Sequence, residues 1–207
     1  MVALTYENLG GISGVTENPK VPASKRSRDQ NAVQRMAFQC DPARPFTGTI
    51  HVQASVGDPG KTDQTTLWFD IAEMIIDNEG GTWSYEAEGE FSSIRVICRT
   101  GNYWSAAHGV GGSSVSANGS FTINGITVNV SLGDTASLVA NAINGTPAIQ
   151  LTGIIFADTP TPTVLRIYRT DGTPLILANV VGTPLNDIGI TPGTFRAGAI
   201  TNIAMLR

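Results

Sequence analysis

The 207-residue chain has few of the residue types from which active sites are usually made: two histidines, two cysteines and only 14% charged residues. His51 and His108 lie far apart in the sequence. A Ser-His-Asp or Cys-His site therefore lacks a third member that can be nominated, and both histidines are expected at the surface. Cys40 and Cys98 are widely separated with no CxxC spacing, which excludes a zinc site of recognisable pattern. Both fall in segments that read as strands, so adjacent thiols or a disulfide fit geometrically. In a reducing cytoplasm, buried free thiols are the expectation. No apolar run approaches the length of a transmembrane helix, and the opening MVALTYENLGG lacks the basic and long apolar regions of a signal peptide, so neither membrane insertion nor export is expected. A net charge of -4 argues against a chain-wide nucleic-acid surface, which needs clustered Lys and Arg.

What the chain has instead is Gly, Thr, Val, Ile and Asn in short runs between turn signals, the composition of strands and tight turns. The length suits two small β-rich domains. Residues 1–35 carry little apolar periodicity and read as an extended arm with at most one short strand. The arm's basic cluster KRSRDQNAVQR, with Lys25, Arg26, Arg28 and Arg35, is a solvated loop or a contact for an acidic neighbouring subunit.

Residues 36–108 read as an antiparallel β-sandwich, jelly-roll-like. In TGTIHVQASV, Ile50, Val52, Ala54 and Val56 share one face and His51, Gln53 and Ser55 the other, the mark of a half-buried strand. TTLWFDIAEMII sets Leu67, Phe69 and Ile71 against Trp68 and Asp70. WSYEAEGEF sets Trp83, Tyr85, Ala87 and Phe91 against Glu86, Glu88 and Glu90, with those carboxylates expected to face Arg95 and Arg99 on the next strand. In SSIRVICRT, Ile94, Val96 and Cys98 point inward. Residues 105–120 are so rich in Gly and Ser that 109–120 reads as a linker.

Residues 121–207 read as a small α+β unit. FTING and ITVNV form a hairpin about Asn124-Gly125, a dipeptide suited to a type I′ turn. Asp134 or Thr135 then caps a helix whose apolar face is Leu138, Val139, Ala142 and Ile143, with Gly145 as its stop. AIQLTGIIFAD, TVLRIYRT and PLILANV follow as strands, and the apolar tail FRAGAITNIAMLR requires a docking surface.

Chemical motifs fail on inspection. GDPGKT at 57–62 has Ser55 where a phosphate-binding loop requires glycine and leads into a strand where a helix is needed. GGISG and GVGG do not sit between a strand and a helix. Asp70 and Glu73, or the alternating glutamates, form a solvated face more readily than a carboxylate pair or calcium site. Asn118, Asn129 and Asn144 stand in glycosylation sequons that matter only in a secretory pathway. Trp68 and Trp104 remain as candidate interface or glycan contacts, since Trp68 falls on the face opposite Leu67, Phe69 and Ile71. No cofactor and no metal are expected.

FTINGITVNVSLGDTASLVANAIN, residues 121–144, resembles the repeat module of flagellin and hook-associated proteins, which also occurs in phage tail and fibre proteins: strand, NG turn, strand, then a helix closing on an Ile-Asn pair, here Ile143-Asn144. The likeness continues to NDIGITPGT at 186–194, with Ile188 and Ile190 where that module has leucines. FTGTIHVQASVGDPGKTDQTTLWFDI and SYEAEGEFSSIRVICRT are similar to a β-sandwich segment of tailed-phage virion proteins. The resemblance implies a non-enzymatic virion protein of tail, baseplate or fibre attachment, assembled in the host cytoplasm. It would self-associate and contact neighbouring virion proteins, with capsid decoration or host-glycan binding as alternatives.

Overall fold

The computed structural model describes residues 6–14, 33–55, 67–79, 81–88, 91, 93–109 and 114–206. The chain is mainly β, built of antiparallel sheets with few helices. In chain order the elements are β1 (Tyr6–Ile12), β2 (Val33–Cys40), β3 (Phe46–Ser55), β4 (Trp68–Glu79), β5 (Gly81–Glu88), β6 (Ser93–Ile97), β7 (Ser105–His108), β8 (Gly119–Ile123), β9 (Ile126–Val130), α1 (Ala136–Gly145), α2 (Pro147–Gln150), β10 (Ile155–Thr161), β11 (Val164–Arg169), β12 (Leu175–Val181), α3 (Pro184–Asp187), β13 (Gly193–Phe195) and β14 (Ile200–Leu206). They form two compact units: Met1–Tyr103 with Gly198–Arg207, and Trp104–Ala197.

The first unit is a sandwich of two antiparallel sheets, ordered β1-β14-β2-β5 and β4-β3-β6. One sheet sends Ile12, Met36, Phe38, Ile203 and Met205 into the core and the other sends Ile50, Val52, Ala54, Ile94 and Val96. The apolar tail finds its docking surface within the unit, because β14 lies between β1 and β2 and pairs with both. Sequence reading had placed this tail in the C-terminal half; ladder pairing and three buried side chains, Ile200, Ile203 and Met205, tie it to the first unit. Gly198 opens the strand where a Cβ would run into the backbone carbonyl oxygens of Arg44 and Pro45, so only glycine fits there.

The second unit packs two sheets, β10-β11-β7 and β13-β12-β8-β9, with α1 around one core. Here Ser105–His108, expected in the sandwich, pairs with β11. Val115, expected in the linker, is buried and exchanges backbone bonds with Gly133 and Asp134. Asn124 and Gly125 both take positive φ, 48° and 84°, as a type I′ turn demands. Asn124 also bonds across to β12, its amide nitrogen donating to Pro174 O at 3.0 Å and its oxygen accepting from Ile176 N at 3.2 Å.

Helix α1 starts after Thr135, but neither expected cap acts through its side chain: Thr135 makes no capping bond, and Asp134 accepts from Ser131 N instead. Its buried stripe is Ala136, Val139, Ala140 and Ile143, a rotation from the expected face that leaves Leu138 51% exposed. AIQLTG, expected as the start of a strand, is a helical turn: Pro147 suits a first helical position, and Ile149 N and Gln150 N donate back to Thr146 O. The Ile-Asn pair has a clear physical role. Ile143 is fully buried, and the Asn144 amide pairs with Ala157 as a second backbone would, donating to its carbonyl at 2.7 Å and accepting from its N–H at 2.9 Å. Asn144→Asp keeps the size but sets two acceptors against one carbonyl. We expect a loss of about 1–3 kcal/mol in denaturant unfolding of this unit, with the first unit unaffected.

After β11, Asp171 receives two bonds from Arg169 and bonds from Thr173, which hold its carboxyl down to about 2 against the opposing effect of burial. A carboxyl depressed on folding stabilises the native state above its unfolded value, and that contribution fades as pH falls from about 4 toward 2. Thermal melts across this range are expected to show a steeper acid loss for the wild type than for Asp171→Asn.

Candidate functional site

Strand β3 is the middle strand of its sheet, and every one of its ten residues is buried. His51 is therefore an interior residue, 4% exposed, and not the surface histidine expected from alternation. Its face of the sheet is polar but bonded. Gln53 donates to Asp70 Oδ1 at 2.7 Å and accepts from Arg95 Nε at 2.7 Å. Arg99 donates to Asp70 at 3.0 Å, and His51 Nδ1 stands 3.3 Å from Asp70 Oδ2. Asn102 Nδ2 sits 3.0 Å from His51 Nε2. His51 Nδ1 also stands 3.3 Å from Arg99 Nη1, so this nitrogen faces both the Asp70 carboxylate and a guanidinium. Burial pushes the Asp70 carboxyl up, but the bonds from Gln53 and Arg99 and the nearby positive charge outweigh it and leave the group below its ordinary value.

The register explains how these residues meet. An extra residue, Ile71, sits in β4 between the pairs Gln53 with Asp70 and Val52 with Ala72. This bulge switches the alternation, so Trp68 and Asp70 join the polar face while Ala72, Met74 and Ile76 follow the core face. Leu67 and Phe69, expected inward, end 69% and 41% exposed.

His51 has Asp70 and Arg99 beside Nδ1 and Asn102 beside Nε2. Among the described residues no group of three or more His, Cys, Asp or Glu is placed to hold a metal ion. Cys40 and Cys98 are buried free thiols, and burial pushes Cys98 up to about 11, far from a reactive thiolate.

The other sequence candidates are placed separately. Trp68 carries the Arg95 guanidinium over its ring at 4.3 Å. Trp104, in the second unit, stacks on Tyr168 with ring centroids 4.7 Å apart, and Phe156 extends the row at 5.8 Å. Arg166, bound two-pronged to Asp158, lies over Trp104 and Tyr168. Rings at this spacing cover one another's faces, so the row acts first as a cross-strand staple. Arg35 is exposed and bonds Glu86 at 2.7 Å. This corrects the expected pairing of the glutamate face with Arg95 and Arg99, because β5 lies beside β2 and not beside β6. Lys25, Arg26 and Arg28 lie outside the described residues, as does the GDPGKT loop. His108 is a half-buried member of β7, where a surface histidine is expected from the sequence.

Sequence reading missed Gln53, Arg95 and Asn102 as members of the polar network. A signal for the first two was present in cross-strand order, since Asp70, Gln53 and Arg95 form one row across three strands. Comparison with protein-family models returns no match, and none of the curated proteins matches the chain.

Proposed function

We propose that this chain is a non-enzymatic structural protein of a tailed-phage virion, joining subunits in the tail, baseplate or fibre-attachment region. The observation that carries the assembly part is the outer face of β12. The strand LILANVV buries Leu175 and Leu177 in the core of its unit, yet its other face is apolar as well: Ile176 is 48% exposed, Val180 57% and Val181 56%. A strand apolar on both faces is the pattern of one covered on both sides, and a subunit contact supplies the second cover. The phage assignment itself rests on the sequence resemblance of residues 121–194 and of the sandwich strands.

The test is oligomeric state. By native mass measurement at micromolar concentration, the wild type is expected as a closed ring or trimer, and Ile176→Glu/Val180→Glu as a monomer that melts like the wild type. A wild type that stays monomeric and has no density in images of its parent particle would sink the proposal.

A further inference from the structure

Among the described residues, the corner of the sandwich around Trp68 leaves one guanidinium edge without an acid. Arg95 stands opposite Gln53 in the ladder, its guanidinium stacked on the Trp68 indole and its Nε donating to Gln53 Oε1. The indole and Gln53 together hold the guanidinium in place. The remaining edge, Nη1 and Nη2, is the fork that meets a carboxylate two-pronged, and it has no partner among the described residues. Arg99, on the same face, is already bound to Asp70. After burial, the next influence on Arg95 is repulsion from Arg99, ahead of attraction to Asp70, so its charge is not neutralised locally. In the same row as Trp68, the fully buried Ser55 hydroxyl also lacks a partner among the described residues.

The neighbours narrow the ligand. Asp70 and, across from His51, the exposed Glu73 would repel a partner bearing several acids. They would accept hydrogen bonds from hydroxyl groups. A ligand with one carboxylate and several hydroxyls satisfies the guanidinium and the exposed carboxylate together. We propose that Arg95, held against Trp68, binds an acidic sugar unit, a pyranose bearing a carboxylate, with the carboxylate on the Arg95 fork and its hydroxyls toward the exposed Glu73. This stands independently of the assembly reading.

The probe is a short oligosaccharide containing glucuronate, compared with its carboxyl-reduced counterpart and with an oligoglutamate peptide of similar length. Binding to the full chain is read by calorimetry and tryptophan fluorescence. The wild type is expected to bind only the glucuronate form. Arg95→Lys is expected to weaken binding by about tenfold or more, since a lysine cannot supply the planar fork. Arg196→Lys, at an exposed position elsewhere, is expected to bind as the wild type does. If Arg95→Lys fails to melt like the wild type, Trp68→Leu gives a second reading, with an expected loss of about fivefold. Equal binding of the carboxyl-reduced sugar, preference for the peptide, no binding of the glucuronate form, or undiminished affinity in a folded variant would each overturn the proposal.

Discussion

Ending the chain at Ala197 is expected to unfold the sandwich and leave the second unit folded. The ten residues removed contain β14, which lies between β1 and β2, so their loss leaves both neighbours with an unpaired edge in mid-sheet. Ile200, Ile203 and Met205, all at most 2% exposed, leave the core with it. Each is worth about 1.5–3 kcal/mol of burial, so the three together approach the ~5–15 kcal/mol that holds a whole domain. The bond from Tyr103 Oη to Gly198 O, at 2.6 Å, is lost as well. Residues 104–197 keep every strand and helix of their own core. Calorimetry of the truncated chain should show the second unit's transition alone, and hydrogen exchange should place the protected amides within 104–197. A surviving sandwich transition would mean that β14 is an accessory strand.

This dependence could not be read from the sequence. The tail FRAGAITNIAMLR announced that it needed a surface, but apolar alternation does not say which surface, and the partner strands are separated from it by more than half the chain. Local signals fared better. The Asn124-Gly125 turn and the core faces of β3 and β6 follow from residue chemistry over a few positions. The errors arise where tertiary context changes the rule. His51 and Gln53 look solvent-facing because they are polar, yet a central strand covered by Trp68, Asp70, Arg95 and Arg99 buries them as a bonded network. Leu67 and Phe69 look inward by the same alternation as Ile71, yet only Ile71 packs against the core. The same limit hid the candidate anion site, whose parts lie on three strands and become neighbours, in two adjacent rows, only once the register is known.

The second large effect concerns the module that carries the resemblance. Phe121 is fully buried at the start of β8, beside Val128 on β9 and Asn179 on β12. Phe121→Ala removes the largest buried side chain of this unit and leaves a hole that rigid ladders on both sides cannot close, so the expected cost is about 3–5 kcal/mol. For a unit of this size that corresponds to a fall in Tm on the order of 15 °C or more, and the sandwich transition should not move. Leu138→Ala supplies the contrast. On the face expected from sequence, Leu138 would be a core residue and its loss would cost several times more than it should here. In the structure it is half exposed while Val139 is fully buried. Leu138→Ala should therefore fall within about 0.5 kcal/mol of the wild type, and Val139→Ala should cost about 1–3 kcal/mol. Equal losses at the two positions would show that the helix presents the other face, and the packing by which α1 holds the hairpin would have to be redrawn.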